Sequence, residues 1–171
     1  MTQQMVEIRY ATEADWLALR QIRLTALLDA PTAFGVTHAS AAAYSDQAWR
    51  DRAAGRGPAR YILAFQDKEA VGIVAHVPNG NQELDLIAMW VAPSQRGTAT
   101  AARLVDAVKD HATANRYPRV LLGVSPDNQR ASAFYQKQGF TFLPQWEPLE
   151  SHLHIQVQKM AWTTQLLARP L

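Results

Sequence analysis

The chain has 171 residues, 48% of them hydrophobic and 19% charged, with a formal net charge of +2. That length suits one domain with a full core, and that composition excludes a disordered chain. The basic excess forms no tract, which argues against a nucleic-acid partner, and the absence of cysteine excludes disulfides, thiolate metal sites and a cysteine nucleophile. The N-terminus has no apolar signal core and no apolar run approaches membrane-spanning length, so a cytoplasmic protein without a membrane partner is expected.

In chain order, "MVEIRYA" reads as a first strand. Thr12 opens a helix with Asp15 three residues on, an acidic variant of the capping box, and Trp16, Leu19, Ile22 and Ala26 share one face of it. It stops near Pro31 and gives way to an irregular connector, "AFGVTHASAAAYS". "DQAWRDRAA" is a short helix ended by residues 55–58. Three strands follow, "RYILAFQ", "AVGIVAHV" and "QELDLIAMWV", separated by the hairpin turns "DKE" and "PNGNQ". Residues 97–116 form the best helix, with Ala101, Leu104, Val105, Val108 and Ala112 on one face. "RVLLGV" is a buried strand, and "DNQRASAFYQKQ" a second helix stopped by Gly139. "FTFLPQ" and "LHIQVQKMAW" are final strands split by a proline-bearing loop. The order implies one α/β domain over residues 1–171, a mixed sheet with helices on both faces. The helix after "MWV" requires a parallel neighbour or a local splay in the sheet.

Several residues have the chemistry of a site. "WVAPSQRGTATAARLV" runs from strand to helix, and amides at such a helix start suit an anion, although solvent-facing starts precede most helices. Glu83 and Asp85 lie two apart on one strand, on the same face as Ile87 and Met89. Either carboxylate can take a proton from an ammonium, or both sit at a solvated strand end beside the "PNGN" turn. Asn128 or Asp127 caps the next helix, and Tyr135, read alone, is an ordinary half-buried helix tyrosine. His38, His76, His111, His152 and His154 show no metal-ligand spacing.

Two segments carry a family signature. "MWVAPSQRGTATAARLV" is followed, after "RVLLGV", by "NQRASAFYQKQGF", in which Asn128, Ala131, Tyr135 and Gly139-Phe140 fall at characteristic spacing. The chain resembles the GCN5-related N-acetyltransferase (GNAT) superfamily over roughly its whole length, most closely from Leu84 to Phe140. The resemblance implies a twisted, mostly antiparallel mixed sheet whose fourth and fifth strands part to admit acetyl-coenzyme A as cosubstrate. It implies that residues Arg96, Gly97, Thr98, Ala99, Thr100 and Ala101 cradle the pyrophosphate and that the Met89, Trp90 and Val91 backbone pairs with pantetheine. Asn128, Ala131 and Tyr135 would also line the coenzyme, Tyr135 would protonate the departing thiolate, Asp85 or Glu83 would serve as base, and no metal is needed.

The loop departs from the family's Arg-x-x-Gly-x-Gly/Ala pattern, because Ala99 stands where glycine is usual. Helical dihedrals need no glycine, so the Ala99 amide can still face an anion, with Thr98 and Thr100 offering hydroxyls. The expected function is transfer of acetyl to a small-molecule or peptide amine by direct attack, with a homodimer left open. Phe34, Tyr44 and Trp49 and the loop from Trp146 to His152 would shape the acceptor site, unless those aromatics are core. The alternatives are a non-catalytic acyl-coenzyme A binding or sensing module and a nucleotide-phosphate binder. The latter would need a P-loop Lys-[Ser/Thr] or full Rossmann glycine spacing, and the loop has neither.

Overall fold

The alternation in "RYILAFQ" sorts its side chains to two sides, and both sides are covered. The computed structural model describes residues 5–164. Seven strands form one sheet: β1 (Glu7–Tyr10), β2 (Arg60–Gln66), β3 (Glu69–Pro78), β4 (Leu84–Val91), β5 (Arg119–Val124), β6 (Thr141–Leu149) and β7 (His152–Thr163). Their spatial order is β1-β2-β3-β4-β5-β7-β6, and every pairing except β4 with β5 is antiparallel. Ile62 and Ala64 of β2 join the core under α4 (Thr100–Ala114), while Leu63 and Phe65 join the core under α1 (Trp16–Asp29) and α3 (Asp46–Ala54). The apolar stripe of α4 is as expected: Leu104, Val105, Val108 and Ala112 are buried.

Local signals explain most boundaries. Asp67 and Lys68 both take positive φ, as a two-residue hairpin of the primed type requires. The Asn79 side-chain oxygen accepts from the Asn81 and Glu83 amides and so ties the next hairpin. The Thr12–Asp15 capping box forms, with the Thr12 amide 2.8 Å from the Asp15 carboxylate, and it opens a 3-10 turn leading into α1. Gly139 ends α5 (Gln129–Lys137) with φ +92°.

Three expectations are corrected. The connector after α1 contains a short helix, α2 (His38–Ala42), capped by Thr37, whose hydroxyl accepts from the Ser40 amide. The helix expected at residues 97–116 begins at Thr100, because Pro93–Gln95 and the loop after it form a separate turn. The proline-bearing loop expected before the last strand is instead strand: β6 continues through Pro144 and Pro148 to Leu149. It tolerates them because it is the outermost strand, where a missing N–H breaks no interior ladder. Among the described residues no helix is long and apolar enough to cross a membrane.

Candidate active site

The parallel pair that the topology demands is short. β4 and β5 meet only at Leu84 with Val120 and Asp85 with Leu121, after which the strands part. Both the parallel neighbour and the splay are therefore present. A bulge in β4 accompanies the parting. Pairing advances from Ile73 to Ala75 on β3 while β4 runs from Trp90 to Ile87, and Ala88 within that stretch has φ +60°. The bulge reverses the alternation of β4. Ile87 stays on the Asp85 face and is exposed, whereas Met89 packs against the α4 core and Trp90 enters the other core. Met89 is therefore not on the carboxylate face, a correction that strict alternation had hidden. The Ala92 amide donates to the Val71 carbonyl at 2.8 Å, so the Val91 amide, one residue earlier, points away from β3 toward the gap.

Beyond the gap, the loop into α4 presents amides. The Arg96 amide donates to the Pro93 carbonyl and the Thr98 amide to the Gln95 carbonyl, each at 3.2 Å. The amides of Gly97, Ala99, Ala101 and Ala102 donate to no protein acceptor among the described residues. Three of the six expected cradle positions thus offer free amides, and Ala102, not anticipated, adds a fourth at the positive end of the helix. Ala99 has φ −74° and ψ −5°, an ordinary right-handed conformation that needs no glycine. Gly97 does need its residue type, since its φ is +80°.

The threonine hydroxyls are not the donors expected. Thr98 donates to the Gln95 carbonyl at 2.6 Å, and Thr100 to the Gln95 side-chain oxygen at 2.8 Å. Both hold the loop's shape around Gln95, which is itself buried. The Arg96 side chain turns to Asp29 at the end of α1, where the Trp90 indole also donates. The side chains of Trp90 and Arg96 are thus engaged within the protein.

Asp85 sits where the two strands separate. The Asn79 amide donates to it at 3.0 Å, yet burial raises its carboxyl above the ordinary range. It lines a cavity of about 120 Å³ at the gap with Ile87, Gly123, Glu147 and Lys159. Glu83 is not at a solvated strand end: it is 8% exposed and accepts from Arg119 of β5. A larger hollow of about 410 Å³ lies between α1 and the Asp67–Lys68 turn, apart from the β4–β5 gap.

Asn128, not Asp127, caps α5, accepting from the Ala131 amide at 3.2 Å. Tyr135 lies two turns further on, edge-on to Phe134 and Phe140 at 5.2 and 5.8 Å. Its hydroxyl has no partner among the described residues, and burial pushes its pKa well up, so it is a protonated phenol at neutral pH.

The remaining candidates separate. Phe34 and Trp49 are core, while Tyr44 is half-buried and Trp146 is exposed. His76 and His111 stack at 3.9 Å with the Tyr10 hydroxyl 2.8 Å from His76 Nε2, away from the gap. Among the described residues no three His, Asp or Glu side chains gather as a metal site. Sequence reasoning missed Gln95, Asp29 and Ala102, whose roles depend on contacts that no local pattern encodes.

Comparison with known proteins agrees with this fold. Uncharacterized N-acetyltransferases of Mycobacterium bovis and Mycobacterium tuberculosis are 37% identical over 84 residues, 48% of this chain and 54% of theirs. The match spans about half the length of those relatives. An acetyltransferase of the GNAT family from Streptococcus pneumoniae superposes with a TM-score of 0.75 at 20% identity, over 94% of this chain and 99% of that one. A spermidine N-acetyltransferase from Vibrio cholerae in complex with CoA and spermine gives 0.73 at 12% identity, over 96% and 98%. At such identities the likeness shows the fold. The model of the Acetyltransferase (GNAT) family matches residues 18–140, well over half the chain, and the protein belongs to that family.

Proposed function

We propose that the chain is an N-acetyltransferase that moves acetyl from acetyl-coenzyme A to a primary amine by direct attack in a ternary complex. The observation that carries this is the conjunction of a parted β4–β5 pair with four free amides at the start of α4. In this reading the Gly97, Ala99, Ala101 and Ala102 amides hold the pyrophosphate, and the outer edge of β4 at Met89, Trp90 and Val91 pairs with the pantetheine arm. Asn128 and Ala131 open the helix that flanks the arm.

Chemistry then follows from position. Asp85, directly or through a water, takes a proton from the acceptor ammonium. The free amine attacks the thioester carbonyl, whose oxygen gathers charge that a β4 amide stabilises. Collapse of the tetrahedral intermediate expels the coenzyme A thiolate, and Tyr135 supplies its proton. Burial makes Tyr135 a weak acid, but a thiolate in the same apolar setting is a correspondingly strong base. Held by Arg119, Glu83 braces β4 against β5, and the base is assigned to Asp85. Most of the acceleration comes from holding amine and thioester together.

The acceptor is a small-molecule or peptide amine, the location cytoplasmic, and no metal takes part. An amine panel read by thiol release tests the reading, alongside calorimetry with acetyl-coenzyme A against ATP. Tight coenzyme binding without thiol release from any amine would leave a sensing module instead. Preference for ATP would overturn both.

A further inference from the structure

Arg23 lies on the buried side of α1 and is only 9% exposed. None of its guanidinium nitrogens donates to an acceptor among the described residues, and Nη1 is sealed from solvent. Its guanidinium stands 4.9 Å over the Phe34 ring. The ionisable groups that face it are the phenols of Tyr61 and Tyr44, with no carboxylate among them. Trp49 Nε1 is a second sealed donor without an acceptor. Tyr44 connects the two, edge-on to Trp49 at 5.5 Å, with the Arg52 guanidinium 3.9 Å over its ring. Two cations, an indole N–H and two phenols thus gather, and although Asp51 neighbours Arg52, no anion faces Arg23 among the described residues. Folding tolerates a buried, unpaired guanidinium poorly, because desolvation is uncompensated.

The cluster lies on the Asp85 side of the sheet. Tyr61 pairs with Ala75, and Ala75 with Ile87, so these three share a row on one face. Ile87 and Asp85 both line the cavity at the β4–β5 gap. The Ser151 hydroxyl donates to the Phe34 carbonyl, so the segment after α1 meets the β6–β7 turn over this same face.

We propose that Arg23, with the Tyr44 and Tyr61 hydroxyls, binds a carboxylate carried by the acceptor, which is therefore an amino acid or a related amino carboxylate. This rests on the N-acetyltransferase reading. The amine end faces Asp85 and the carboxylate end faces Arg23, so opposite charges complement a zwitterion. A planar guanidinium matches a carboxylate in two-point contact. A polyamine would instead meet Arg23 and Arg52 with like charge.

The test uses the full chain, acetyl-coenzyme A and thiol release. The probes are matched pairs: α-amino acids and ω-amino acids of increasing length, each with its carboxamide. At least one acid should exceed its amide in kcat/KM by on the order of a hundredfold, the upper scale expected when a buried donor is left unsatisfied. Arg23→Met should bring that ratio close to one with acetyl-coenzyme A affinity intact, and Arg23→Lys should restore part of it. A second readout needs no turnover. Arg23→Met should raise the Tm, since it replaces an unpartnered buried charge with an apolar chain of similar length. A fall in Tm would mark Arg23 as structural and overturn the proposal, as would a preference for amides or polyamines, or an acid preference that survives in Arg23→Met. Loss of acetyl-coenzyme A binding in the wild type would instead count against the transferase reading, leaving the Tm comparison to judge Arg23.

Discussion

The two faces of the sheet treat buried polar groups differently. Under α4, polar side chains find one another: Gln95 is met by Thr98 and Thr100, and Tyr10 lies between His76 and His111. Under α1 and α3, Arg23 and Trp49 keep donors with no acceptor among the described residues. Apart from the Tyr135 hydroxyl, the first interior is completed by folding, while the second holds polar capacity that folding does not use. The coenzyme cradle borders the completed side, so its geometry is preformed in backbone, whereas recognition of the acceptor falls to side chains.

The largest effect that would test this division is at Tyr135. Tyr135→Phe keeps the ring packing against Phe134 and Phe140 and removes only the hydroxyl. The expected result is a fall in kcat of about 10²–10⁴-fold with coenzyme affinity little changed, measured by rapid-mix turnover and calorimetry. Near wild-type chemistry would make Tyr135 part of the completed interior.

Asp85→Asn probes the other face, with an expected loss of about 10²-fold or more. Since burial raises the Asp85 pKa above 3.8, wild-type kcat/KM should decline as pH falls through that raised value. The variant should lack this acidic limb. A limb retained in Asp85→Asn would move the base elsewhere.

A third measurement concerns stability. Arg60, His111 and Tyr10 face His76, and burial together with the neighbouring positive groups holds its pKa near 4 against an ordinary 6.5. Between those values the unfolded chain binds the proton and the folded chain does not. Stability is therefore complete above 6.5 and lost as pH drops toward 4, with a ceiling of about 3 kcal/mol. Denaturant melts at pH 7.5 and pH 4.5 should show the loss in wild type and a smaller one in His76→Gln.

The smallest effects belong to the cradle. Gly97 stands in open space at φ +80°, so Gly97→Val is strained by its backbone rather than by crowding, at roughly 1–2 kcal/mol. Coenzyme affinity should weaken with it, and unchanged calorimetry in a folded variant would remove the loop from the site. Ala99 is the residue before α4, where glycine is favoured over alanine. Ala99→Gly should leave the melting temperature nearly unchanged and affinity equal or slightly tighter.

Much of the architecture was legible. The period-two runs at β2, β3 and β4 and the helical stripe of α4 speak through side-chain spacing alone. The Ala88 bulge did not, because neither glycine nor proline marks it, and with it the facing of Met89 was misread. The loop's position was legible from Arg96 and Gly97, but which amides stay free depends on Gln95 folding back beneath it. Arg23 looked like any helix arginine, since its lack of a partner exists only once α1, β2 and α3 are assembled.

The prolines of β6 bear on how copies of this chain meet. A sheet grows across molecules only where an outer strand offers a regular row of donors and acceptors. Pro144 and Pro148 break that row along β6, and β1, the opposite margin, is four residues long. Neither margin is a template for a continuous intermolecular sheet. Self-association by strand addition, in crowded solution or during refolding, is therefore disfavoured at both described margins.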